Sequence, residues 1–288
     1  MNRVLIIGCG DIGRRVARLL RGRARLYGLL RTPERADALR AAGIVPIAGN
    51  LDDPRTLARL AGLADVILHL APPPATGDED TRTRHLLAAL SRRRLPSSLV
   101  YVSTSGVYGD CSGEVVPETR TPRPRNARAQ RRLDAERQVR DWAARNGVRA
   151  SILRAPGIYA ADRLPLARLR AGIPAILAAE DSYTNHIHAD DLARLLVAAM
   201  RRGALNRLYH ASDDSGMKMG DYFDRVADTF QLPRPPRLPR DEVARAVPPE
   251  LWSFMAESRR LDNMRIKREL HFRLLYPAVA DTLAGLLR

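Results

Sequence analysis

The sequence predicts an α/β fold: an open, doubly wound parallel sheet followed by a smaller C-terminal α+β lobe. Three observations predict it. Short apolar runs alternate with helical patterns through the first half of the chain, as successive βα units require. The first run, Val4-Leu5-Ile6-Ile7, ends in Gly8-Cys9-Gly10-Asp11-Ile12-Gly13 and passes directly into a helical pattern. At 288 residues the chain is long enough for one large domain or two lobes.

Strand, glycine turn and helix in that order are the fingerprint of a Rossmann-type dinucleotide site. Gly8 takes the dihedrals of the turn. Gly10 lets the backbone approach a pyrophosphate, and Gly13 lets the helix pack closely on the strand. The helix over 14–20 then offers free N–H groups and the positive end of its dipole to the phosphates. Cys9 sits inside the turn, where a small residue is needed. The second strand, 26–30, ends at Arg31-Thr32. An NAD-binding chain usually places Asp or Glu there, to accept from the ribose 2′-hydroxyl. A guanidinium at Arg31 can instead hold a 2′-phosphate through two parallel bonds, and Thr32 adds a hydroxyl. The expected cofactor is therefore NADP, with NAD the less favoured alternative.

A helix is expected over 33–42, a strand over 44–47, a turn at Gly49-Asn50-Leu51-Asp52 and a helix over 54–60. The strand over 65–70 runs into Ala71-Pro72-Pro73-Pro74, where proline takes the chain out of the sheet. A helix over 80–94, a strand over 99–103, a long helix over 127–146 stopped by Gly147, and a strand over 148–153 complete the series. The dinucleotide-binding domain is expected to occupy 1–155. Beyond it the pattern is less regular. Short strands are expected at 173–177, 186–188 and 207–210, helices at 190–201 and 220–230, and a proline-rich loop at 231–240. Residues 156–288 are expected mainly to form a substrate lobe over the sheet, with some segments returning to the core.

Composition excludes several functions. The formal net charge is +16, but all except two of the 48 Lys and Arg residues are arginines, spread along the chain and mixed with acids. This reads as codon usage of a GC-rich genome rather than as a basic patch. Aromatics make up 5%, too few for the stacking platforms of a single-strand binder, so no nucleic-acid partner is expected. Cys9 and Cys111 are the only cysteines, outside any C-x-x-C, so neither a disulfide framework nor a metal site is expected. The first apolar run stops at Gly8 and no stretch approaches ~20 apolar residues, so neither a signal peptide nor a membrane helix is expected, and the location is taken as cytoplasmic.

Five stretches, in order, give the chain its resemblance to a known family. They are Gly8 to Gly13; Leu68-His69-Leu70-Ala71; Tyr101-Val102-Ser103-Thr104-Ser105-Gly106-Val107-Tyr108-Gly109; Leu153-Arg154-Ala155-Pro156-Gly157-Ile158-Tyr159; and His186-Ile187-His188-Ala189-Asp190-Asp191-Leu192-Ala193. With these the chain resembles the extended and atypical short-chain dehydrogenases, the NAD-dependent epimerases/dehydratases or nucleotide-sugar epimerases. The resemblance implies a Ser or Thr after the fifth strand that holds the substrate oxygen. It also implies a Tyr acid/base and a Lys four residues later that favours the phenolate. Aligning Val107-Tyr108-Gly109 puts Thr104 at the Ser/Thr position, flanked by Ser103 and Ser105. The Tyr-x-x-x-Lys pair is missing: Arg128 and Arg132 occupy its frame, anchored by Glu136. Guanidinium does not deprotonate in proteins, so Arg128 is no acid/base.

The expected catalytic group is Thr104 with Ser103 and Ser105, and Tyr108 as a substitute proton donor. The expected cofactor-binding residues are Gly8, Cys9, Gly10, Asp11, Ile12, Gly13, Arg31, Thr32, Asn50, Leu51, Leu70, Ala71, Pro72, Arg132 and Pro156. His69, His188 and Tyr159 read as structural residues. The arginine-dense segment 123–140 reads first as a solvated face, and otherwise as a cleft wall suited to phosphate or carboxylate. The function expected is an NADP(H)-dependent oxidoreductase, epimerase or dehydratase acting on a small anionic or nucleotide-linked substrate. The alternative is a non-catalytic NADP(H)-binding sensor or scaffold. Partners are the small-molecule substrate and, as the assembly allowed for, a second copy in a homodimer.

Overall fold

The computed structural model describes residues 2–286. The chain lays down β1 (Asn2–Ile7), α1 (Asp11–Leu20), β2 (Ala24–Leu30), α2 (Ala36–Ala41), β3 (Ile44–Ala48), β4 (Val66–His69), α3 (Thr81–Leu90), β5 (Ser98–Thr104), β6 (Val115–Val116), α4 (Ala127–Asn146) and β7 (Arg149–Ala155). It continues through β8 (Gly157–Tyr159), α5 (Leu166–Arg170), β9 (Ala175–Ile176), β10 (His186–His188), α6 (Ala189–Arg202), β11 (Arg207–His210) and α7 (Met219–Thr229). The last elements are β12 (Arg237–Leu238), α8 (Arg240–Ala246), α9 (Pro249–Met255), β13 (Arg260–Leu261), α10 (Met264–Glu269) and α11 (Val279–Leu286).

Seven strands form one parallel sheet in the order β11-β7-β5-β4-β1-β2-β3. Chain order reverses beside β1, which creates the crevice where open α/β sheets take ligands. The pleat of β1 sends Val4 and Ile6 to one face and Leu5 and Ile7 to the other, all four fully buried. Val4 and Ile6 pack with Val16 and Leu20 of α1 and Leu192 and Leu196 of α6. Leu5 and Ile7 pack with Leu86 of α3 and with Val139 and Trp142 of α4. Helices thus cover both faces, and near-continuous apolar strands follow from that. The longest helix, α4, has clear ends. Asn126 accepts from the Ala129 N–H at 2.9 Å at its start, and Gly147 closes it in the left-handed region at φ +63°.

The two sheet edges have different origins. The outer strand on one side is β3, which carries Pro46 opposite Gly28. On the other side β11 arrives from beyond residue 156 and pairs with β7 from Arg207↔Ser151 to His210↔Arg154. The remaining strands make three two-stranded parallel pairs, β8 with β10, β9 with β12 and β6 with β13. They carry the loops over the C-terminal end of the sheet, where Tyr159, Leu169, Tyr222, Phe223 and Leu283 form a separate apolar cluster.

Several elements differ from the expected ones. Residues 33–42 split into a 3-10 turn at Pro33–Arg35 and the short α2, and Pro54–Leu60 is a 3-10 helix. The helix expected to reach 94 stops at Leu90, ahead of an arginine run and Pro96. The loop expected over 231–240 contains β12, held by β9. No helix of the described residues is long and apolar enough to cross a membrane.

Candidate functional site

The glycine turn has the shape the fingerprint requires. Gly8 stands at φ +97°, and a Cβ there would lie 2.7 Å from the Ala71 nitrogen and 2.9 Å from the Leu70 carbonyl carbon. Gly8 is therefore fixed both by its dihedral and by the Leu70-Ala71 backbone at the end of β4. A Cβ on Gly13 would lie 2.9 Å from the Gly8 oxygen, so α1 seats tightly on the turn. Gly10 is the opposite case: a Cβ there meets nothing within 4 Å, and no side chain caps α1. Open space in front of a helix N-terminus with free N–H groups fits a pyrophosphate. Cys9 is there for its size. Its sulfur would stand 2.6 Å from a Cβ on Gly28, and burial pushes its thiol up to about 12, so it is inert. Asp11 turns its carboxylate away, to Arg15 at 3.0 Å and Arg163 at 3.2 Å, and Ile12 packs on the core.

Around this turn, Arg31 and Thr32 are exposed at the end of β2. Asn50 closes its own turn by accepting from the Asp52 N–H at 3.1 Å, and the Leu51 carbonyl meets His85 Nδ1 at 2.7 Å. Asp52 is held below the usual carboxylate range, first by two bonds from Arg82 at 2.7 and 2.8 Å and more weakly by Arg31. Arg82 also donates to the Pro72 and Pro73 carbonyls at 3.2 Å, tying the loop after β4 to the loop after β3.

A cavity of about 250 Å³ opens beyond the C-terminal ends of β5 and β7. Thr104, Ser105, Asn126 and Arg128 line it from the sheet side, with Pro156 and Gly157 at its edge. Tyr159, Tyr183, His186, Tyr222, Phe254, Glu257 and Arg259 close it from the second half of the chain. Thr104 Oγ1 accepts from the Gly106 N–H at 3.2 Å, which leaves its own proton free to donate. Arg128 lies with its guanidinium 4.1 Å from the Phe254 ring centroid, while Arg259 is paired with Glu257 at 2.8 Å. Arg132 points inward under the sheet end, donating to the Val102 carbonyl at 2.8 Å and the Tyr101 hydroxyl at 3.1 Å.

Two of the expected catalytic residues are committed elsewhere. Strand alternation turns Ser103 away from Thr104, and its hydroxyl donates to Glu136 Oε1 at 2.5 Å. Glu136 is 2% exposed and takes two bonds from Arg154, at 2.9 and 2.6 Å. The Arg154 guanidinium stacks 4.5 Å from the Tyr108 ring centroid. The Tyr108 hydroxyl is 2.6 Å from His210 Nε2, and His210 Nδ1 is 2.8 Å from the Asp262 carbonyl. A carbonyl only accepts, so the His210 proton is assigned to Nδ1 and Tyr108 donates to Nε2. Burial keeps His210 neutral, at about 3, and pushes the Tyr108 phenol up to about 12. Tyr108 as substitute proton donor and Ser103 as substrate ligand are therefore corrected: both hydroxyls are used inside the protein.

The other histidines divide in the same way. His69 Nε2 meets Thr83 Oγ1 at 2.9 Å. His188 Nδ1 accepts from the Asp190 N–H at 3.2 Å, so His188 caps α6. The feature that sequence reasoning missed is His186. The sequence places it in a short strand and in the fifth stretch of the family resemblance, with no role of its own; in the structure it lines the cavity, and its Nδ1 is buried with no hydrogen-bond partner. No signal near His186 in the sequence announces this, because its aromatic neighbours Tyr159 and Tyr222 are distant in the chain. Nearby, burial pushes the Asp213 carboxyl up to about 7. No group of His, Cys, Asp or Glu among the described residues is arranged to hold a metal ion.

Comparison with known proteins bears on the fold and the family. The chain is 24% identical over 248 residues to GDP-6-deoxy-D-mannose reductase of Pseudomonas aeruginosa, covering 80% of this chain and 81% of that one. A functionally unknown conserved protein from Silicibacter pomeroyi superposes with a TM-score of 0.81 at 29% identity, over 100% of this chain and 98% of that one. The dTDP-glucose 4,6-dehydratase from Streptomyces venezuelae, solved with NAD bound, superposes at 0.78 with 21% identity, over 99% and 96%. The model of the NAD dependent epimerase/dehydratase family matches residues 4–211. That span runs from the first strand through the last strand of the central sheet, and the protein belongs to this family.

Proposed function

We propose that the protein is an NADP(H)-dependent oxidoreductase or epimerase/dehydratase that takes a small anionic substrate, or the non-nucleotide end of a nucleotide-linked one, without a Tyr-x-x-x-Lys pair. The observation that carries this reading is the cavity in which Thr104 and Arg128 stand together at the end of the sheet that bears the glycine turn. Its volume, about 250 Å³, lies just below the range of ~300–1,000 Å³ typical of ligand sites, which suits a single ring or short chain. Among the described residues Arg128 makes no salt bridge, its guanidinium lying on the Phe254 ring, and it supplies the charge for a carboxylate or phosphate. The Thr104 hydroxyl orients the reacting oxygen. The Gly10 space and the α1 N-terminus hold the pyrophosphate, Arg31 and Thr32 the 2′-phosphate, and Arg132 the cationic place beside the nicotinamide ribose. When bound, the cofactor supplies or accepts a hydride. One curated relative is a reductase and one solved neighbour is a dehydratase, which supports redox chemistry on a sugar-like substrate.

Two arginines in the acid/base frame, and a Tyr108 with no free hydroxyl, favour a second reading, a non-catalytic NADP(H)-binding sensor. One experiment separates the two. NADPH and NADH binding are measured by calorimetry for the wild type, Gly10→Val and Arg31→Ala, followed by a turnover screen with nucleotide sugars, sugar phosphates and small oxo-acids. Gly10→Val should lose binding of both cofactors without loss of stability, because its side chain meets only the phosphate space. Arg31→Ala should lose NADPH affinity by roughly 10–100-fold, the worth of a charged hydrogen bond, and leave NADH almost unchanged. Equal loss for both cofactors overturns the NADP preference. Tight NADPH binding with no turnover across the screen overturns the enzyme reading in favour of the sensor.

A further inference from the structure

Four histidines are buried: His69, His186, His188 and His210. Three of them have a ring nitrogen engaged by a protein group, as described above. His186 is the exception. It is 5% exposed, its Nδ1 is sealed from solvent without a partner, and its ring is one wall of the cavity. Its surroundings are aromatic, with Tyr222 at 4.3 Å and Tyr159 edge-on at 6.0 Å between ring centroids.

Strand register brings this ring to the reacting end of the site. Thr104 of β5 pairs with Ala155 of β7, and Gly157, two residues on, pairs with His186 of β10. The ring edge bearing Cδ2 and Nε2 faces Gly157. A Cβ there would lie 3.4 Å from Cδ2 and 4.0 Å from Nε2, and Gly157 is itself an exposed residue of the cavity edge. A neutral imidazole carries one donor and one acceptor. A buried N–H without an acceptor is rarer than a buried lone pair without a donor. The proton therefore belongs on Nε2, on the cavity side, and Nδ1 keeps the lone pair. Burial holds the ring neutral, at about 4.

We propose that His186 is a substrate-binding residue whose Nε2–H donates to an oxygen of the substrate, opposite in chemical character to the anion-binding Arg128. Resting on the reading of the cavity given above, the substrate is then a small polyoxygenated molecule. One part is a charged group for Arg128, one an oxygen for Thr104, and a further hydroxyl or carbonyl oxygen is recognised by a neutral donor. His186 leaves the redox chemistry to others and decides which oxygenation pattern is accepted.

The test has two arms. The first needs no substrate: long-range proton–nitrogen spectra of the full-length, histidine-labelled protein at pH 7, with His186 assigned by difference from His186→Phe. A protonated Nε2 with a bare Nδ1 is expected, and the reverse tautomer overturns the proposal while leaving the proposed function intact. The second arm uses UDP-glucuronic acid, dTDP-glucose, GDP-mannose and glucose 6-phosphate as probes with NADP+ bound. For each probe the wild type takes up, His186→Phe should lower affinity about 10–100-fold, and His186→Gln, whose amide nitrogen reaches the place of Nε2, should recover most of it. NADP+ affinity should be unchanged in both variants. His186→Phe binding as tightly as the wild type overturns the proposal. Uptake of none of the probes by an NADP+-binding wild type overturns the substrate reading of the cavity and this proposal with it, whatever the tautomer.

Discussion

Ser103 and Thr104 are neighbours in one strand, yet they belong to two regions of opposite character. Behind Ser103 lies a sealed polar chain: Glu136, Arg154, Tyr108, His210 and the Asp262 carbonyl, each tied to the next. In front of Thr104 lies a cavity in which Thr104, Arg128 and His186 keep hydrogen-bonding capacity unspent. The difference shows where polar groups serve the fold and where they are left for a ligand. The buried network, bonded from group to group with only Arg154 Nη1 left without a partner, makes the end of the sheet rigid, and the cavity groups stand on that rigid base.

The largest expected effect attacks the sealed side. Glu136→Ala leaves the buried Arg154 charge without its partner and should cost about 3–5 kcal/mol in denaturant unfolding. Thr104→Ala, on the open side, should change stability by less than about 1 kcal/mol while depressing any turnover found. Similar losses for the two variants would break the comparison.

Acidification comes next. Burial holds His69, His186 and His210 below the ordinary imidazole value, so they stay neutral in the fold and take up protons in the unfolded chain below about pH 6.5. Their stabilisation is fully present above that pH and is lost as pH falls toward 4, by about 1.4 kcal/mol per pH unit for each ring. Asp213 acts in the opposite sense. Its carboxyl, pushed up to about 7, stays protonated in the fold, so its contribution is full below about pH 4 and is lost as pH rises to 7. Burial lowers His188 in the same way and raises Asp80, Glu118 and Asp181 as it raises Asp213, so rings and carboxyls oppose each other, and Asp213→Asn should lose more stability on acidification than the wild type does. Wild type and Asp213→Asn with the same change in unfolding free energy from pH 7 to 4.5 would contradict this.

The smallest effect sharpens the boundary. Tyr108→Phe strands the acceptor of His210 and should cost about 1–2 kcal/mol, with the pH profile of any turnover unchanged. A shifted profile would return Tyr108 to the reaction.

The sheet and its glycine turn were legible because their signals are local. Asn126 and Gly147 mark both ends of α4, and β10 and β11 lie where short strands were expected, at 186–188 and 207–210. The helices α8, α9, α10 and α11 were not legible. Each has six to eight residues and is held by packing rather than by caps or periodicity. Within the site, Thr104 could be found from the Val107-Tyr108-Gly109 frame. The fate of Tyr108 could not, because its partner His210 lies 102 residues away and nothing near Tyr108 in sequence announces it. The role argued for His186 was hidden for the same reason: having no partner is a property of the folded neighbourhood, not of the residue type.

Pro46 has a consequence for assembly. It stands in the middle of β3, the outer strand on its side of the sheet. A proline on an edge strand interrupts the outward row of N–H donors. A second molecule laid against that edge would find the row broken after two residues and could not continue the sheet across the boundary. Whatever copies of this chain do to one another, they must meet through helices or loops on that side. One of the two edges of the sheet therefore carries its own stop against edge-to-edge polymerisation.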